Sequence, residues 1–220
     1  MSNAFDVSVI ARTWPFLLDG IGISLLLTLV AMVAGLVLGL LLALARLSGT
    51  PWLARPAAFY VNGFRAVPLI LVIFWFYFLV PLVVGRPVGA MPSALIALSL
   101  FEAAYYAEIL RAGLQSVRPG QWQAAAASGL RPAQTLRFVV LPQALRNMLP
   151  LLITQAVVLF QDTSLVYVIS LRDFMTSAGI VATRENRLVE MYVFAALVYF
   201  TLCLSFSALA HLAERRWSHA

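Results

Sequence analysis

The sequence predicts an all-α membrane protein with five transmembrane helices, and three observations carry that prediction. First, 62% of the 220 residues are hydrophobic and only 11% are charged. An average soluble domain is roughly 45–50% apolar and about 25% charged, so this chain needs lipid as part of its solvent. Second, a helix crossing the ~30 Å hydrocarbon core needs about 20 apolar residues. Five stretches qualify: 20–45, 67–84, 91–110, 148–169 and 191–213. Third, the arginines fall between these runs rather than on the polar face of a soluble helix.

Each run has its own signature. The first carries no charge at all. Ala43-Leu44-Ala45 has the look of a signal-peptidase site, but the run is too long for a signal peptide and its positive charges follow it. It reads as an uncleaved first helix. Arg46, Arg55 and Arg65 follow the first run, Arg111, Arg118, Arg131, Arg137 and Arg146 follow the third, and Arg215 and Arg216 follow the fifth. Arg12, Arg86, Arg172, Arg184 and Arg187 fall on the opposite side. The positive-inside rule makes the richer side cytoplasmic. The N-terminus is therefore expected outside and the C-terminus inside, which an odd number of spans requires. Residues 1–220 read as a single transmembrane domain.

Composition also excludes chemistry. All basic residues are arginine, and a P-loop needs a lysine that reaches the nucleotide phosphates. A pyridoxal enzyme needs a lysine Schiff base. The single Cys203 sits inside an apolar run, so neither an internal disulfide nor a cysteine metal motif is expected. His211 and His219 read as interfacial or tail residues. No catalytic and no metal-binding residue is expected. The net charge of +6 is not gathered into a solvated basic patch, so nucleic acid is not expected as a partner; lipid is.

Between the third and fourth runs lies a polar loop, 115–146. Its centre reads QWQAAAASGLRPAQTLRFVVLP, from Gln121 to Pro142. The alanine-rich part favours helix, Gly129 allows a tight turn with positive φ, and Pro132 suits the first turn of a new helix. Pro142 is expected at the next boundary, giving two short helices on the cytoplasmic side.

Gln123, Ala124, Ala125, Gly129, Val139, Leu141 and Pro142 are in register with the Glu-Ala-Ala loop of ABC importer permeases, which this chain resembles. Glutamine stands at the first position where the family has glutamate, keeping reach and an acceptor but losing the charge. Further stretches are similar to the polar amino-acid branch of that family: FRAVPL from Phe64, AYYAEILRAGLQSV from Ala104, LPQALR from Leu141 and QDTSLVYVIS from Gln161. The resemblance runs from Pro15 to Trp217 and is nearest to permeases for glutamate and aspartate. It implies the ABC importer permease fold, with the loop as a coupling helix that docks on an ABC ATPase. It also implies a second permease subunit, homologous or identical, and a periplasmic or extracellular binding protein. No cofactor is implied in this chain; ATP and Mg would be bound by the ATPase. The location implied is the bacterial inner membrane, as a multi-pass protein. Importers of another polar amino acid are an alternative, as is an ion-coupled secondary transporter, which would need no coupling loop.

Two polar features inside the apolar runs are candidates for the substrate pathway. Gln161, Asp162, Thr163 and Ser164 fall well inside the fourth run, where a carboxylate must face protein or water. Asp-Thr-Ser is also an N-cap signal, which predicts a broken helix whose second half points a partial positive charge at an anionic substrate group. A structural network pinning two helices is the competing reading. Glu102, in the third run, either lines the pathway or hydrogen-bonds a neighbouring helix, with the second favoured. Gly35 and Gly39 form a Gly-x-x-x-Gly pair that permits close helix approach without naming the partner. The stripe Phe74 to Phe78 reads as lipid or packing surface.

Overall fold

A computed structural model describes residues 6–218, with side chains to residue 208. Expectations for the side chains of His211, Arg215 and Arg216, and for His219, lie outside the described residues. The described chain is helical, in the order α1 (Ser8–Leu47), α2 (Pro51–Arg65), α3 (Leu69–Val84), α4 (Ala90–Gln115), α5 (Pro119–Ala127), α6 (Pro132–Ile169), α7 (Phe174–Arg184) and α8 (Leu188–Ser218). Among the described residues, α1, α4, α6 and α8 are long and apolar enough to cross a membrane. The pair α2 and α3, bent by 105°, makes a fifth candidate. Each of the five apolar runs falls on one of these helices.

Helix α1 packs along α4, and its sequence shows why. Gly20, Ser24, Leu27, Ala31, Gly35, Gly39 and Ala43 are buried. Steps of three and four put them on one face of a helix with 3.6 residues per turn. The large residues Leu29, Val33, Val37, Leu40, Leu41 and Leu44 face outward, which suits lipid. The Gly-x-x-x-Gly pair finds its partner within the chain. A Cβ on Gly35 would lie 2.9 Å from the Glu102 Cβ, and one on Gly39 would lie 2.9 Å from the Ala107 backbone nitrogen.

Two helices carry a wide, π-type turn: Trp75–Leu79 in α3 and Leu136–Val140 in α6. Each is followed by a proline, Pro81 or Pro142, just past its end. Proline lacks an amide hydrogen and clashes with the carbonyl four residues earlier, and a widened turn absorbs both. This corrects the expectation that Pro142 ends a second short helix. The helix that begins at Pro132 runs on without a break to Ile169. In the aromatic stripe, Phe74, Phe76 and Tyr77 pack against the core, while Trp75 and Phe78 face outward.

Arginine–carboxylate pairs lie near both ends of α1. Near its C-terminus, Glu108 pairs with Arg46 at 2.5 Å, with Arg65 at 3.9 Å and with Arg111. Near its N-terminus, Asp6 faces Arg12 at 3.7 Å, and Glu190 binds Arg187 at 3.0 Å.

Candidate coupling loop and pathway residues

The loop after α4 is built from backbone geometry. Pro119 opens α5 at its first position. At the other end, the Gly129 amide donates to the Ala126 carbonyl at 3.0 Å and the Leu130 amide to Ala125 at 3.1 Å. Gly129 has φ +77°. That bond pair with a left-handed residue is a Schellman ending, which satisfies carbonyls the helix leaves open. Pro132 then opens α6, and the Arg131 amide donates to Gln134 Oε1 at 2.9 Å.

The loop is held to the bundle at a few points. Asn147 Nδ2 donates to Ser116 Oγ at 2.8 Å, and Gln143 Nε2 donates to Gln121 Oε1 at 3.2 Å. Gly113 lies so close to Met148 that an added Cβ would meet it at 2.8 Å. Of the predicted loop residues, Ala125 is buried, while Gln123, Ala124, Gly129, Leu141 and Pro142 are exposed. With Trp122, Leu136 and Phe138 also exposed, the loop leaves apolar surface uncovered, flanked by Arg118, Arg131 and Arg137.

The pathway candidates divide. Glu102 is 0% exposed and accepts from Gln155 Nε2 on α6 at 3.1 Å through both carboxylate oxygens. With Gly35 against its Cβ, it sits where α1, α4 and α6 meet. Asp162 does not cap a half-helix. Its backbone is helical (φ −65°, ψ −24°) and its side chain makes no capping bond. The helix tightens into a 3-10 turn over Thr163–Ile169 and stops at Ser170, with φ 56°. Thr163 Oγ1 donates to the Phe160 carbonyl of its own helix at 2.7 Å. Gln161 Nε2 lies 3.5 Å from Cys203 Sγ on α8, which makes Cys203 a helix-facing residue. Ser164 lines a cleft of about 870 Å³ with Tyr167, Ser170, Thr176, Arg184 and Tyr192.

The real cap is Asp173, at the start of α7. Its extended backbone (φ −77°, ψ −173°) lets the carboxylate accept from the Thr176 amide at 2.9 Å, the Met175 amide at 3.2 Å and the Thr176 hydroxyl at 2.6 Å. Asp173 is buried, and the Phe174 amide donates to Ser24 Oγ on α1 at 3.2 Å. A cap of this kind contributes about 0.5–2 kcal/mol. Asp173→Leu is therefore expected to lower the melting temperature in detergent by several degrees, and Asp162→Leu to leave it nearly unchanged. Equal shifts for the two variants contradict this assignment.

Two residues carry more structure than the sequence suggested. Glu108 gathers arginines from α1, α2 and α4; its Glu-x-x-Arg spacing with Arg111 was the available signal. Gln155 had none, because its partner comes from another helix.

The helical bundle finds its counterparts among known proteins. Residues 35–219 match the family described as "Binding-protein-dependent transport system inner membrane component". The chain belongs to that family: it is a permease, the membrane translocation component, and ATP hydrolysis falls to a separate subunit. Among relatives, it is 48% identical to the glutamate/aspartate import permease protein GltK of Escherichia coli, over 96% of this chain and 98% of that one. It is 36% identical to the probable amino-acid ABC transporter permease protein YckA of Bacillus subtilis, over 98% of this chain and 95% of that one. The fold matches the crystal structure of an amino acid ABC transporter with histidines at a TM-score of 0.91, with 34% identity over 98% of this chain and all of the other. Membership implies an ATPase and a substrate-binding protein as partners. Among the described residues, no cluster of histidine, cysteine or acidic side chains is suited to a metal.

Proposed function

We propose that this chain is the permease subunit of an ATP-driven amino-acid importer whose substrates are glutamate and aspartate. The 48% identity to GltK across nearly the whole chain carries the reading of the substrate. The chain crosses the bacterial inner membrane five times, with the N-terminus outside and the C-terminus inside, as the arginine distribution favours. It pairs with a second permease subunit and receives substrate from a binding protein at the outer face. ATP and Mg are bound by the ATPase.

Gln123, Ala124, Ala125, Gly129, Leu141 and Pro142 form the docking element for that ATPase. The reading is supported by the exposure of most of these residues beside the exposed apolar side chains Trp122, Leu136 and Phe138 and by the hydrogen-bonded ending of α5. Gln161, Asp162, Thr163 and Ser164 contribute to the substrate pathway, with Glu102 holding Gln155 behind them. Gln155 and Asp162 are seven residues apart, about two helical turns, so they share a face of α6.

The test is reconstitution of the full complex in liposomes with its binding protein. Glutamate and aspartate are expected to stimulate ATP hydrolysis several-fold and to accumulate inside. Stimulation by arginine or glutamine alone would overturn the substrate reading and leave the family unaffected. Orientation is checked with an impermeant maleimide on Ser128→Cys and Thr183→Cys, each in a Cys203→Ser background. Only position 183 is expected to be labelled from outside.

A further inference from the structure

Helix α2 presents an outer face that nothing among the described residues covers. Trp52 is 89% exposed and Phe59 is 83% exposed, and Arg55 between them is exposed as well. Spacings of three and four residues put all three on one stripe. The opposite face is fastened to the bundle. Ala57 and Val61 are buried, with Val61 packed against Ala104 and Ala107. Tyr60 donates its hydroxyl to the Leu100 carbonyl at 2.7 Å, and Arg65 reaches Glu108 at 3.9 Å.

The bend of 105° into α3 turns α2 nearly across the direction of the span that follows it. The residues just before α2, on α1, expose Leu40, Leu41 and Leu44, a lipid-facing surface that ends at Arg46. The stripe thus lies at the level where apolar surface gives way to arginine. Aromatic rings are enriched at that depth, and arginine side chains there meet anionic headgroups.

We propose that α2 is an interfacial helix lying in the plane of the membrane, with Trp52 and Phe59 at the headgroup–acyl boundary and Arg55 on lipid phosphates. Its occupant is the bilayer itself. The Glu108 cluster then has a role: it locks the inner face of α2 to α1 and α4, so the helix cannot rotate its aromatic stripe away from lipid. The arrangement fixes the height of the cytoplasmic half of the bundle relative to the membrane surface.

Depth measurement decides the matter. Trp52→Cys and Phe59→Cys, each in a Cys203→Ser background, are spin-labelled in the assembled transporter in liposomes containing phosphatidylglycerol. Collision rates with oxygen and with a water-soluble nickel chelate give the depth of each label. A helix in the membrane plane places both labels at the same shallow depth, with oxygen collisions dominant. A helix crossing the bilayer separates them by about 10 Å, seven residues at 1.5 Å each, and overturns the proposal. Dominant nickel collisions mean a stripe in water, and protection from both reagents means a stripe covered by protein; either result also overturns it. Should one of these labels prevent assembly, the pair Arg55→Cys and Asn62→Cys, also seven residues apart and exposed, repeats the measurement.

Discussion

Gly129→Val should leave the protein in the membrane at normal levels and remove most of its transport, by tenfold or more. Gly129 has φ +77°, and an added Cβ there would meet nothing within 4 Å. The cost is therefore backbone strain alone, about 1–3 kcal/mol for a β-branched residue held in the left-handed region. The chain can relieve it by unwinding the Schellman ending, which frees the carbonyls of Ala125 and Ala126 and turns α5 relative to α6. Stability of the bundle is little affected, because the turn is exposed and makes no core contact. Gly129→Asn is the control, since asparagine tolerates this region far better than valine, and it should keep most of the uptake. Uptake per inserted molecule, with ATP hydrolysis measured in parallel, tests both. Valine and asparagine variants of equal activity would remove the mechanical case for the loop.

Gly39→Leu should have the largest effect on folding. An added Cβ at Gly39 already lies 2.8 Å from the Tyr106 Cβ, 2.9 Å from the Ala107 nitrogen and 3.0 Å from the Ala103 carbonyl oxygen. Two of these are backbone atoms of α4, which no rotamer change can move. Overpacking a tight core typically costs about 1–3 kcal/mol, and more when backbones must part. Here α1 and α4 must separate, which also loosens the Glu102–Gln155 bond one turn away. Gly39→Leu should lower the yield of monodisperse protein in detergent several-fold. Gly22→Leu, on the outer face with nothing within 4 Å of its added Cβ, should be close to neutral. Similar yields for the two variants would contradict a tight α1–α4 contact.

The sequence by itself determined the membrane environment, the helical class and the apolar run behind each candidate crossing, because lipid leaves a span no water to satisfy its backbone. Run length then writes the candidate spans into composition. The turn at Gly129 and the start of α6 at Pro132 were also legible, since both rest on local backbone preferences. What needed the tertiary structure was every choice that depends on a partner from another helix. Asp-Thr-Ser at 162–164 and Asp173 ahead of Met175 and Thr176 are both acceptable caps locally. Only at Asp173 does the chain leave α6, reverse through Ser170 and offer free amides to a carboxylate, so that is where the cap forms. The run at 161–164 stays helical because its backbone groups are already paired. Pro142 looked like a stop until the widened turn over Leu136–Val140 let the helix pass it. The Gly35–Gly39 pair announced a close approach, and Glu102 announced a buried partner, but neither could name it. Hydrogen bonds and van der Waals contacts fall off within a few ångströms, so their partners are decided by which helices the fold brings together.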